Sequence, residues 1–127
     1  MNLVRDRNNK EMPQLEVCFV LPTYNEAANI EQTIESILSQ QVFVSEYKFS
    51  ILVVDDNSPD GTQEIVNHLI KQHECLHIIT GDKDGLGNAY KRGFAYALNF
   101  LQPDIIFQMD SDGQHDPKLI PDFIEQI

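Results

Sequence analysis

The chain has 127 residues, a formal net charge of -11, 42% hydrophobic residues and two cysteines. That length fits one domain with a real core, and the hydrophobic share is ordinary for a globular chain rather than a disordered one. The negative balance argues against nucleic acid or an anionic membrane surface as a general partner, and it makes an anionic ligand hard to hold without a bound cation.

In chain order, residues 1–14 are polar and aperiodic and read as a flexible lead-in to a unit covering residues 15–127. A first strand is expected over Val17-Cys-Phe-Val-Leu21, stopping at Pro22. Ile30, Ile34, Ile37 and Leu38 then fall at helical spacing. Residues 41–48 break that period and serve as a connection. Phe49-Ser-Ile-Leu-Val-Val54 is the second strand and ends in Asp55-Asp56-Asn57. Asp60 is placed to cap a second helix carrying Glu64, Ile65, Leu69 and Ile70. Leu76-His-Ile-Ile-Thr80 is a third strand, followed by a loop rich in glycine and aspartate over residues 81–87. Tyr90, Phe94, Ala97, Leu98 and Leu101 form a third amphipathic face, which Pro103 stops. A fourth strand is expected over residues 105–109. Asp116-Pro117 then opens a fourth helix with Leu119, Ile120, Phe123 and Ile124 on its apolar face.

Continuous apolar strands alternating with helices predict an α/β fold: a mostly parallel sheet between two helical layers, in a three-layer, Rossmann-like α/β/α arrangement. In such sheets ligands bind beyond the carboxyl ends of the strands. The polar loops at residues 22–26, 55–62, 81–88 and 110–115 all fall there and should converge on one rim. The fourth helix reaches Ile127 without a cap or a following strand, so a truncated chain is expected, with self-association through its uncovered apolar edges. Cys18 in a strand and Cys75 at the end of a helical pattern fit a reduced, cytoplasmic protein. No apolar run approaches the roughly 20 residues of a membrane span.

The most informative segment is Met109-Asp-Ser-Asp-Gly-Gln-His115. Asp110 and Asp112 project to the same side of an extended chain, about 7 Å apart. At that distance two carboxylates repel by roughly 2–3 kcal/mol at an effective dielectric near 20. A half-buried pair of this kind draws a cation, and oxygen-only ligation suits Mg²⁺ or Mn²⁺ better than Zn²⁺. A solvated acidic turn is the plainer alternative for the segment taken alone.

Four segments together decide between these. Leu21-Pro-Thr-Tyr-Asn-Glu26, Val53-Val-Asp-Asp-Asn-Ser-Pro-Asp-Gly-Thr62, Gly85-Leu-Gly-Asn-Ala-Tyr-Lys-Arg-Gly93 and the segment ending at His115 occur at four successive strand ends. In that order they resemble the N-terminal half of family 2 glycosyltransferases of the GT-A fold, most of all the dolichyl- or polyprenyl-phosphate mannose or glucose synthases. The resemblance implies transfer of a hexose from a GDP- or UDP-sugar to a polyprenyl phosphate or other acceptor, with inversion, by an enzyme seated peripherally at the cytoplasmic membrane face. It implies that Pro22, Tyr24 and Glu26 line the nucleoside pocket, and it favours Asp55 over Asp56 for the contact to the base. It sets Lys91 or Arg92 near the phosphates, Asp110 near the ribose, Ser111 among the nucleotide-binding residues, and Mn²⁺ or Mg²⁺ on Asp110, Asp112 and Gln114. His115 would orient the loop rather than ligate. The catalytic base and most of the acceptor site would lie beyond Ile127, so weak nucleotide and metal binding with little turnover is expected of these residues alone.

Three rivals are weaker. A receiver-type phosphoacceptor domain places its acidic pair after the first strand, not the second. A nucleotidyltransferase needs a phosphate loop rich in glycine and arginine where Pro22-Thr-Tyr-Asn-Glu26 stands. A noncatalytic nucleotide-binding module shares every feature above except turnover.

Overall fold

A computed structural model describes residues 3–5, 8–110 and 116–126. The lead-in carries a short antiparallel pair, β1 (Leu3–Arg5) and β2 (Glu11–Pro13), tied by an exposed Arg5–Glu11 ion pair. The sheet that follows is four-stranded, in the order β5-β4-β3-β6, and every neighbouring pair in it is parallel. Its strands are β3 (Leu15–Thr23), β4 (Tyr47–Asp55), β5 (Leu76–Thr80) and β6 (Ile105–Gln108). The helices between and after them are α1 (Ile30–Ser39), α2 (Thr62–Ile70), α3 (Leu86–Tyr96) and α4 (Ile120–Glu125).

The period of two along the central strands sorts the core into two layers. Phe19, Leu21, Ile51 and Val53 face Ile34, Ile37, Val66 and Ile124 of the helices on one side. Cys18, Val20, Leu52 and Val54 face Ala89 and Ala97 on the other. Both faces are therefore dry, which is why these strands read as continuous apolar runs.

Two boundaries near the motif loops differ from the sequence expectation. β3 runs through Pro22 to Thr23 instead of stopping at the proline. The Val20 carbonyl accepts from Met109 N, so the missing N–H of Pro22, two residues on, points to that same side. The register with β6 ends at Val20↔Gln108, and the proline interrupts no ladder. α3 begins at Leu86, ahead of the Tyr90 start that apolar spacing marks, because Gly87 and Asn88 read as loop residues and Leu86, though one turn before Tyr90, is exposed. It closes in a π-helical turn, Ala97–Leu101.

α3 lies close on the sheet at Gly93. A Cβ built there would stand 2.5 Å from Val20 Cγ1 and 2.9 Å from Val54 Cγ2. The glycine lets the backbone touch the valines, and this close approach fixes which α3 side chains reach the strand ends.

Candidate functional site

The carboxyl ends of the four parallel strands, Thr23, Asp55, Thr80 and Gln108, lie along one edge of the sheet, and the motif loops follow them directly. The loops are braced on one another rather than merely adjacent. Backbone N–H groups of Asn25, Glu26 and Ala27 donate to Ser58 Oγ (2.8 Å), Thr62 Oγ1 (3.1 Å) and Asp60 Oδ2 (3.1 Å). Ser58, Asp60 and Thr62 thus cradle the segment that carries Tyr24 and Glu26. Their partners are remote in the chain, so the sequence alone shows only a turn and a helix cap at these positions.

Asp60 is not the N-cap residue expected of it. α2 begins at Thr62, and the cap position is Gly61, at φ 92. The Asp60 carboxylate still accepts from Thr62 N at 3.1 Å and from the Thr62 hydroxyl. The hydroxyl above all, with the Ala27 and Thr62 amides, holds the Asp60 carboxyl below its usual range.

The adjacent acids Asp55 and Asp56 have different surroundings. Asp55 is fully buried, and its oxygens accept four hydrogen bonds. The donors are Thr23 Oγ1 (2.9 Å), Ser58 N (2.8 Å), Ser58 Oγ (2.6 Å) and Gln63 Nε2 (2.7 Å). A carboxylate offers about four lone-pair sites, so Asp55 is fully used in tying β3, β4 and α2 together. Asp56 projects to the other face of β4, toward α3, where Arg92 donates to its Oδ1. Burial pushes the Asp56 carboxyl up, the Arg92 charge pulls it back, and Asp84 and Asp55 add to the upward shift. The Arg92 guanidinium also donates to Asp84 Oδ1 at 2.8 Å, while its Nε is buried and has no partner among the described residues.

Tyr24 is half-buried, and the Lys83 ammonium stands 3.9 Å from its ring centroid. Glu26 accepts from Asn29 Nδ2 at 3.3 Å, and Pro22 is buried at the end of β3. Asp110 follows β6 and accepts from the Tyr90 hydroxyl of α3 at 3.0 Å, so α3 sends Tyr90 to one side of the rim and Arg92 to the other. Lys91 is exposed and is not brought in with them. It lies two positions from Gly93, about 200° around the helix from the residue that meets the sheet. Ser111, Asp112, Gln114 and His115 lie outside the described residues.

The donor types expected at the metal site, two carboxylates and an amide oxygen, suit a hard divalent cation. Asp110 brings the first of them to the rim. Among the described residues no three His, Cys, Asp or Glu side chains converge closely enough to hold a metal. A cleft of about 540 Å³ lies at the opposite, amino-terminal end of the strands, lined in part by Glu16, Lys48, His73, Cys75 and His77. Burial lowers the His77 imidazole, and His73 pairs with Glu35 at 3.1 Å. The described motif residues are all at the other end.

Known proteins share this chain's sequence pattern and fold. The family model described as glycosyl transferase family 2 matches residues 18–127. An undecaprenyl-phosphate mannosyltransferase of Micrococcus luteus is 35% identical over 114 residues, covering 89% of this chain and 44% of that protein. A dolichol-phosphate mannosyltransferase of Pyrococcus furiosus is 35% identical over 113 residues, covering 89% of this chain and 30% of its own length. The chain therefore spans less than half the length of the curated relatives it matches. Among solved structures, the Pyrobaculum calidifontis mannosyltransferase PcManGT in complex with GDP-Man and Mn²⁺ superposes with a TM-score of 0.65. It is 27% identical, with 76% of this chain and 27% of that one covered. Sheet order, strand-end motifs and these matches agree, and the chain belongs to glycosyl transferase family 2.

Proposed function

We propose that these residues form the donor-binding part of an inverting glycosyltransferase that moves a mannose-type hexose from a nucleoside diphosphate sugar to a polyprenyl phosphate. The observation that carries the reading is the meeting, on one rim, of an aromatic face (Tyr24), a buried carboxylate (Asp56) and an acidic strand end (Asp110). The names of the mannosyltransferase relatives support the sugar and the lipid phosphate. GDP-mannose in the PcManGT complex supports a guanosine donor.

In this reading Pro22, Tyr24 and Glu26 line the nucleoside pocket. The contact to the base expected of Asp55 falls to Asp56, because Asp55 has no acceptor capacity left. Asp110 reaches the ribose, and Ser111 is counted among the nucleotide-binding residues. Asp110, Asp112 and Gln114 would hold Mn²⁺ or Mg²⁺, which supplies positive charge to a departing diphosphate. Arg92, already shared by two carboxylates, positions Asp56 and is not a free phosphate ligand. A polyprenyl phosphate acceptor is ionised near neutral pH and needs little general-base help.

Calorimetric titration with GDP and with UDP, each with Mn²⁺ and with EDTA, tests this. Binding of GDP that needs Mn²⁺ and is lost in Asp112→Ala is the expected result. Tighter binding of UDP would overturn the guanosine assignment, and binding indifferent to EDTA would overturn the metal.

A further inference from the structure

We infer that residues 81–85, between β5 and α3, form a strap across the nucleoside pocket, with the Lys83 ammonium seated on the Tyr24 face that a base would cover. The inference rests on the nucleotide-site reading above.

Three consecutive strap residues are each tied to a different element. Asp82 Oδ1 accepts from Asn57 Nδ2 at 3.3 Å, in the loop after β4. Lys83 Nζ lies 3.9 Å from the Tyr24 ring centroid, in the loop after β3. Asp84 Oδ1 accepts from Arg92 Nη1 at 2.8 Å, on α3. The start of the strap is pinned, since Gly81 N donates to the Asp55 carbonyl at 3.0 Å. Gly81 also lies so close to Arg92 that a Cβ there would stand 2.6 Å from its Nε. At the far end Gly85 turns into α3 at φ 106, with nothing within 4 Å of an added Cβ.

The strap therefore has a fixed root and an exposed span held by side-chain contacts. Asp82, Lys83 and Asp84 are all exposed, so no apolar burial locks the span down. Exposed ion pairs and cation–π contacts are individually weak, which leaves the span able to lift. Lys83 sits between a residue bound to Asn57 and one bound, through Arg92, to Asp56. The contact covers one face of the Tyr24 ring. An ammonium at 3.9 Å and a stacked base cannot share that face. Nucleotide binding must displace Lys83, and the chain competes with its own ligand.

Lys83→Met keeps the aliphatic stem and removes the ammonium. Its affinity for GDP or UDP with Mn²⁺ should rise about two- to five-fold over the wild type, the range of an exposed cation–π contact. Lys71→Met, an exposed change of the same charge on α2's far end, corrects for the lost positive charge. A ligand-free reading accompanies it. By NMR the Lys83 Hε protons should lie upfield of ordinary lysine positions through the Tyr24 ring current, and return in Tyr24→Leu. Ordinary Hε shifts in the wild type, or a Lys83→Met affinity equal to or below that of Lys71→Met, would overturn the strap. If no variant binds either nucleotide while the upfield shift is present, the donor-site reading fails and self-competition fails with it, but the Lys83–Tyr24 contact stands.

Discussion

Asp55→Ala should lower the unfolding free energy by about 3–5 kcal/mol, measured by urea denaturation against the wild type. The carboxylate is fully buried, and its removal strands the Thr23 hydroxyl, the Ser58 amide and hydroxyl, and the Gln63 side chain. Each loses a charged acceptor, and the buried Thr23 hydroxyl is the one left farthest from solvent. Asp55→Asn should do little better, because its amide NH₂ would face donors already present. Asp56→Asn is the informative contrast. Its carboxyl is pushed up by burial and drawn back by Arg92, so neutralising it relieves one cost while losing the other. Its stability should change by about 1 kcal/mol or less, while nucleotide affinity falls. Equal stability losses in Asp55→Ala and Asp56→Asn would contradict the assignment of Asp55 to structure and Asp56 to the ligand.

The second large effect is expected at Gly93. Gly93→Ala puts a methyl 2.5 Å from Val20 and 2.9 Å from Val54, both branched core residues on the central strands. Neither valine can move aside without disturbing β3 or β4, and overpacking of this kind costs about 1–3 kcal/mol or more. Helix propensity alone would favour alanine by about 1 kcal/mol, so the sign of the result separates the two effects. Gly87, in the first turn of the same helix, has nothing within 4 Å of an added Cβ. Gly87→Ala should be neutral or slightly stabilising. A thermal midpoint that falls in Gly93→Ala and holds in Gly87→Ala confirms the close approach of α3. Because that approach aims Tyr90 at Asp110 and Arg92 at Asp56, Gly93→Ala should also weaken nucleotide binding.

How much of this was legible follows from the range of each interaction. The strands were readable because both faces of β3 and β4 are buried, leaving unbroken runs such as Val17 to Leu21. The start of α3 was harder to read, since Gly85, Gly87 and Asn88 are turn-type residues around Leu86, which is exposed although in phase with Tyr90 and Phe94. The bracing by Ser58, Asp60 and Thr62 was hidden for another reason. Their partners at Asn25, Glu26 and Ala27 lie on a different loop, and only the parallel register of β3 and β4 brings the two together. The division of labour between Asp55 and Asp56 follows from strand geometry. The period of two that points Ile51 and Val53 to the α1/α2 layer carries Asp55 there too, and turns Asp56 toward α3. Lys91 and Arg92 are likewise separated by helix geometry, which sends only Arg92 to the rim.

A nucleotide and a divalent cation are expected to meet at the carboxyl ends of the strands. Paramagnetic broadening by substoichiometric Mn²⁺ in the presence of GDP, read on assigned backbone amides, tests it most directly. Signals near Asp110 and Tyr90 should broaden first, GDP should strengthen the effect, and Asp112→Ala should abolish it. Broadening centred instead on residues 72–77, around the cleft with His73 and His77 at the other end of the sheet, would contradict it.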